Sequence, residues 1–176
     1  MEGRTIMIKT ATLVVSLFLL FCSPSFAALK LNDSAPAFSL RDAAGKDVFL
    51  GDVLNAAAKE KKNGIIVSFF ASWCVPCRQE LPLLNSLADD LKEKGISIIL
   101  VDVKEDFTTI HALLAELNVD KPVVLSDRAG KTAESFQVRF LPTTFFIGPD
   151  GKVKDMIFGE IKDEAELWRS AGKLLQ

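Results

Sequence analysis

Residues 67–82 read VSFFASWCVPCRQELP, an apolar run followed by a tryptophan and two cysteines that are separated by Val75 and Pro76. Upstream, Ile65–Phe70 is apolar on both faces, as a covered central strand of a parallel sheet would be. From Pro76 to Lys94 the spacing becomes helical, with Leu81, Leu84, Leu87 and Leu91 on one stripe and Gly95 as terminator. Pro82 falls inside that helix and predicts a kink near residues 78–82. The two thiols stand where a strand gives way to a helix.

Working outward, residues 28–50 predict a short hairpin, with Phe38–Leu40 and Val48–Leu50 about the turn at Asp42–Gly45. Asp52 is placed to cap a helix over 53–62 that Asn63-Gly64 ends. Downstream come a buried strand over 96–103, a helix over 106–117, a short strand over 123–125 and a helix of one or two turns over 131–137. Thr143–Ile147 and Val153–Phe158 flank Gly148-Pro149-Asp150-Gly151 and read as an antiparallel hairpin. A helix over 163–175 closes the chain. Strands alternating with helices imply an α/β fold, a central mixed sheet flanked by helices. Cys74 then falls at the carboxyl end of a central strand, where open sheets place their ligands.

The chain has 176 residues, 49% of them hydrophobic and 25% charged, which suits one domain with a true core. A net charge of −2 with no large basic cluster argues against nucleic acid. Arg4 and Lys9, the apolar stretch 10–21 and Ser25-Phe26-Ala27 before Ala28 have the layout of a secretory signal, so residues 1–27 are expected to be a signal peptide and 28–176 the mature domain. The alternative is an uncleaved membrane anchor through residues 6–21, although that stretch is short for a spanning helix. Cys22 would leave with the signal. The leader holds Arg4, Lys9 and Glu2, so the mature chain keeps 19 basic and 22 acidic residues, a net charge of −3, and only Cys74 and Cys77 as thiols. Export, to a periplasmic or other extracytoplasmic space, would put that pair where disulfides persist.

Two thiols can bind metal, staple a loop or exchange electrons. A structural zinc site needs four ligands, and only the distant His111 is available to add, so no metal is expected. A disulfide closing so short a loop would constrain little of the unfolded chain. The redox reading gains from position. Unpaired N–H groups and the macrodipole at a helix start favour an anion, which lowers the pKa of Cys74 and makes it the accessible nucleophile. Cys77, one turn further in, is placed to attack the mixed disulfide that follows. Pro76 suits the first turn because its missing N–H would have had no partner there.

Trp73-Cys74-Val75-Pro76-Cys77, together with Leu141-Pro142-Thr143 before a strand, resembles the thioredoxin fold. The flanking pieces resemble the TlpA/ResA/DsbE branch of exported thioredoxin-like proteins. They are Ala35–Leu40 with Asp42 and Gly45-Lys46, Arg78–Pro82, and Phe140–Ile147 with Pro149-Asp150-Gly151. The resemblance covers about residues 28–176 and implies a thioredoxin-like fold carrying an N-terminal hairpin extension. It further implies a thiol-disulfide oxidoreductase whose only redox group is the Cys74–Cys77 disulfide, with no other cofactor. Leu141–Pro142 would be a cis bond set against Cys74, and Glu80, on the helical face of Cys77, would tune the protonation of the thiols. Trp73 would shield the disulfide, and Trp73, Val75, Pro76, Leu141, Pro142 and Thr143 would meet substrate. Exported protein thiols and disulfides are the implied partners, those of apocytochrome c among them, with a membrane electron donor of the DsbD/CcdA type and the enzyme itself a monomer.

Two positions depart from the pattern. Thioredoxins proper carry a buried Asp six residues before the first cysteine, where this chain has Ser68, so assistance to Cys77 falls to Glu80 or water. DsbE proteins carry Pro-Glu-Thr where this chain has Pro142-Thr143-Thr144, which weakens a dedicated role in cytochrome maturation. Strong oxidants of this fold stabilise their reduced thiolate, and Val75-Pro76 offers no donor for that. The interval from thioredoxin, at about −270 mV, to a DsbA-type oxidant, at about −120 mV, corresponds to roughly 7 kcal/mol. A helix terminus contributes only ~0.3–1 kcal/mol, so the sequence predicts a reductant. Two rivals remain, a peroxiredoxin-type peroxidase and a non-catalytic binding module. The first would carry Thr or Ser at position 71, where this chain has Ala.

Overall fold

The computed structural model describes residues 28–59 and 62–176. The expected signal peptide, the anchor alternative and Cys22 lie outside the described residues, as do Glu60 and Lys61 of the expected 53–62 helix. A seven-stranded mixed sheet runs through the molecule in the order β2-β1-β5-β4-β3-β6-β7. Its strands are β1 (Ser39–Asp42), β2 (Asp47–Phe49), β3 (Gly64–Phe70), β4 (Ile96–Val103), β5 (Val123–Asp127), β6 (Thr143–Ile147) and β7 (Val153–Phe158). β3, β4 and β5 are parallel, while β6, β7 and the hairpin β1–β2 join antiparallel. This is the thioredoxin-like architecture, with the N-terminal hairpin added at the β5 edge.

Alternation along the central strands sorts their side chains into two cores. Ile66, Phe70, Ile98, Leu100 and Phe146 face α2 (Val75–Ser86), α3 (Ala88–Glu93), α4 (Phe107–Glu116) and α6 (Glu164–Ala171). Ile65, Val67, Phe69, Ile99, Val101 and Phe145 face α1 (Leu50–Lys59), α5 (Lys131–Ser135) and Phe136. Each large side chain so enclosed contributes about 1.5–3 kcal/mol. Every residue of β3 is buried, so this strand is the rigid bed on which the cysteine loop rests. Gly64 opens it at φ +148, where an added Cβ would lie 2.4 Å from the Ile147 carbonyl oxygen, so only glycine lets β3 and β6 meet there.

Several boundaries differ from expectation. α1 begins at Leu50, which puts Asp52 within its first turn and not at its cap. Leu50 is drawn in because its side chain is buried and its N–H bonds the Phe38 carbonyl. The 76–94 helix is two helices that part at Leu87, not a single helix kinked at 78–82. Pro82 is accommodated in α2, whereas the Ser86 hydroxyl donates to the Leu83 carbonyl at 2.8 Å, the kind of local bond that bends a helix. β5 extends to Asp127 through its pairing with β4 and β1. The closing helix ends at Ala171 and tightens into a 3₁₀ turn over Gly172–Leu174.

Candidate active site

β3 delivers the chain to Ala71, and a short turn follows in which the Cys74 N–H bonds the Ala71 carbonyl at 3.2 Å. Cys74 is the N-cap of α2, with Pro76 in the first helical turn. Cys74 and Cys77 are joined as a disulfide, their Cα atoms 5.3 Å apart. Cys74 Sγ accepts the Cys77 N–H at 3.2 Å, so an unpaired donor of the helix start is aimed at that sulfur. The same donor and the α2 macrodipole would stabilise a thiolate at Cys74 after reduction. Cys74 is 4% exposed and Cys77 1%, so in the oxidised form the first sulfur is nearly as enclosed as the second, contrary to the accessible position expected for it.

Trp73 is 70% exposed, and Val75 is 64% exposed beside it. Pro76 is exposed as well. The first turn of α2 therefore presents apolar surface to solvent, because its inward positions are taken by the cysteines. Phe140 and Phe158 add two more exposed rings, 5.9 Å apart and edge to face.

Leu141–Pro142 is a cis bond. The pairing of Thr143 with Phe69 sets Pro142 beside the carboxyl end of β3, where the cysteine loop leaves the sheet. Leu141 is half-buried and packs on the core cluster that contains both cysteines. Pro142 is buried, and its carbonyl accepts the Gly159 N–H at 2.9 Å. Thr143 turns its hydroxyl inward to the Phe140 carbonyl at 2.8 Å, so that side chain fixes the turn.

Glu80 lies one helical turn beyond Cys77 and is fully enclosed. Oε1 accepts the Ser68 hydroxyl at 3.0 Å and the Thr144 hydroxyl at 3.3 Å, and Oε2 accepts the Ile161 N–H at 2.8 Å. Burial raises its pKa to about 7 against the pull of these donors. Ser68, which appears in the sequence only as a departure from a family pattern, and Thr144, the residue after such a departure, are thus the seat of the acid. Ile161 was not singled out in the sequence, since a backbone donor leaves no trace there.

A second acidic group was also missed. Asp102 is fully buried in β4, and its neighbour Glu105 accepts from both the N–H and the hydroxyl of Ser72. An acid inside the apolar run Ile96–Val103 was the available signal. His111 lies on α4 against Phe107, and no cluster of three or more metal-ligating side chains occurs among the described residues.

The AhpC/TSA family profile matches residues 31–156. The thiol-disulfide oxidoreductase ResA of Bacillus subtilis (strain 168) is 31% identical over 172 residues, which covers 92% of this chain and 89% of the relative. ResA of Bacillus anthracis is 33% identical over 132 residues, covering 75% and 72%. Among solved structures, a Chlorobium tepidum chain assigned as the thiol:disulfide interchange protein DsbE superposes with a TM-score of 0.69 at 29% identity, covering 82% of this chain and 100% of that one.

Proposed function

Because the chain belongs to the AhpC/TSA family and is a thiol-disulfide oxidoreductase similar to ResA, we propose that it reduces disulfides of exported proteins through Cys74 and Cys77. The observation that carries this reading is a cysteine pair at the start of α2, with Val75 and Pro76 between and the Cys77 N–H aimed at Cys74 Sγ. In the reduced enzyme the Cys74 thiolate attacks one sulfur of a substrate disulfide. That bond breaks, and a mixed disulfide forms as the other substrate sulfur leaves as a thiolate. Cys77 then loses its proton and attacks Cys74 Sγ, which closes the Cys74–Cys77 disulfide and releases the substrate dithiol. Two electrons have passed to the substrate, and a membrane dithiol donor of the DsbD/CcdA type restores the enzyme.

Glu80 is the acceptor we assign to the Cys77 proton, since an acid with a pKa of about 7 exchanges protons readily at neutral pH. Trp73, Val75 and Pro76 form the apolar ledge on which a substrate segment would lie, with the backbone at Leu141, Pro142 and Thr143 as its other wall. Residues 1–27 are the proposed export signal and 28–176 the mature, monomeric domain. No helix among the described residues is long and apolar enough to cross a membrane. Apocytochrome c, with its haem-site thiols, is one exported substrate that fits this chemistry.

The midpoint potential of the Cys74–Cys77 couple, titrated against glutathione or dithiothreitol, tests the direction. A value near that of thioredoxin, about −270 mV, is expected, and one above about −180 mV would make the protein an isomerase or oxidant. The AhpC/TSA match favours a second reading, peroxidase activity. Peroxide consumption by the reduced protein, expected to be no faster than by free dithiol, distinguishes the two.

A further inference from the structure

Asp102, the penultimate residue of β4, has its Oδ1 on the Glu105 N–H at 3.0 Å, while its Oδ2 is buried and meets no donor. A buried carboxylate oxygen with no donor is costly, and the Glu105 carboxyl lies beside it, so one of the two acids keeps a proton. Glu105 is the carboxylate, since Oε1 accepts the Ser72 hydroxyl at 2.5 Å and Oε2 the Ser72 N–H at 2.7 Å. Partial burial would raise the Glu105 pKa, but the bonds from Asp102 and Ser72 outweigh it and hold the carboxyl below its usual range. Asp102, desolvated and beside that charge, is pushed up to about 8.

The surrounding charges do not relieve Asp102. Asp127 from β5 adds a like charge to it, Asp106 adds one to Glu105, and Arg128 acts on Asp106. The backbone is shaped to hold the pair. Lys104, between the two acids, sits at φ 70, a conformation that costs a non-glycine residue about 1–2 kcal/mol. Its N–H is tied to the Asp127 carbonyl at 3.0 Å, and the Ser126 hydroxyl holds the Glu105 carbonyl at 3.1 Å.

The geometry points to Glu105 as a positioning residue for thiol–disulfide exchange. Supported by a proton-bearing Asp102, it clamps Ser72 and so fixes the loop that presents Trp73 and Cys74 to a partner disulfide. The inference rests on the exchange reading above, and its test has one arm that does not.

In that arm the oxidised full chain carries Trp168→Phe, so that Trp73 is its single tryptophan. Trp73 fluorescence is titrated with pH, conditions under which the cysteines do not ionise. A step near pH 8 is expected, where Asp102 loses the shared proton and two carboxylates face each other. Asp102→Asn should abolish the step, because Asn donates to Glu105 at every pH. Survival of the step in Asp102→Asn, or its absence in the parent, overturns the proposal.

The second arm measures the rate constant of the reduced enzyme with glutathione disulfide. Glu105→Ala should lower it on the order of tenfold, as loss of orientation does. Glu105→Gln, which keeps an acceptor for Ser72 and a donor for Asp102, should recover to within about threefold. An unaltered rate in Glu105→Ala, or equal losses in both variants, overturns the proposal. Failure of the wild type to exchange at all would count against the exchange reading instead, with the fluorescence arm still reporting on the clamp.

Discussion

Glu80, one turn into α2, and Asp102, near the carboxyl end of β4, are both fully enclosed acids, and their surroundings relieve that burial by different means. Around Glu80 stand two hydroxyls and a backbone N–H, neutral donors that part-solvate an anion and leave the pKa near 7. Around Asp102 stand one N–H and a second carboxyl, so relief comes from retaining a proton, and the pKa rises to about 8. Burial in the two cases is alike; the supply of donors differs. Glu80, one turn along α2 from Cys77, can change charge at neutral pH. Asp102 holds its charge state there and suits a fixed support.

The largest expected effect tests the sulfurs themselves. Cys74→Ser should lower disulfide exchange by at least about a thousandfold. Cys77→Ser should instead accumulate a mixed disulfide at Cys74, visible on a non-reducing gel, because the resolving sulfur is gone. An equally inactive Cys77→Ser with no trapped partner would mean that Cys74 is not the attacking sulfur.

Glu80→Gln tests the donor-relieved site. Glu80 has a pKa raised above its unfolded value, so the wild type loses stability as pH rises from about 4.5 to about 7. At about 1.4 kcal/mol for each tenfold change in proton affinity, that loss is roughly 3 kcal/mol. The variant should lack this slope in urea unfolding of the oxidised protein, and its exchange rate should no longer bend near pH 7. A slope identical to wild type would mean that Glu80 is solvated in solution.

Much of this was readable from the sequence. The strand-to-helix switch at Cys74, the helix-start proline at Pro76 and the turn at Gly148–Gly151 are local signals, and the elements they announce are present. The Asp102–Glu105 clamp was missed because it joins the end of β4 to a loop 33 residues upstream at Ser72. The seat of Glu80 was missed for the same reason, since Ser68, Thr144 and Ile161 come together only once β3, β6 and the segment after β7 are in register. Exposure is a property of the fold in the same way, since the turn at Ala71–Cys74 carries Trp73 outward.

Asp102→Asn is the counterpart of Glu80→Gln and should stabilise the oxidised protein. Wild-type stability falls as pH rises from about 3.8 to about 8, the interval over which the native state alone keeps the Asp102 proton. The variant has no such proton to keep. Its advantage should grow through that interval and level off above it, less the cost of any imperfect hydrogen bonding of the amide. A variant less stable than wild type at pH 9 would show that the pair is relieved by solvent and not by a shared proton.

Ser68→Ala is the smallest change and the finest test of the contrast. It removes one of the neutral donors to Glu80 Oε1 and leaves the Thr144 hydroxyl, so the carboxylate keeps its site but is less well solvated. The pKa of Glu80 should therefore rise above 7, and the destabilisation, about 1 kcal/mol, should appear only where Glu80 is ionised. Below pH 5 the protonated acid has less need of the donor, and the variant should unfold with the wild type. If the loss were the same at pH 5 and pH 8, the Ser68 hydroxyl would be serving the packing of β3. The difference between the two acids would then lie in their depth alone, and not in the donors that meet them.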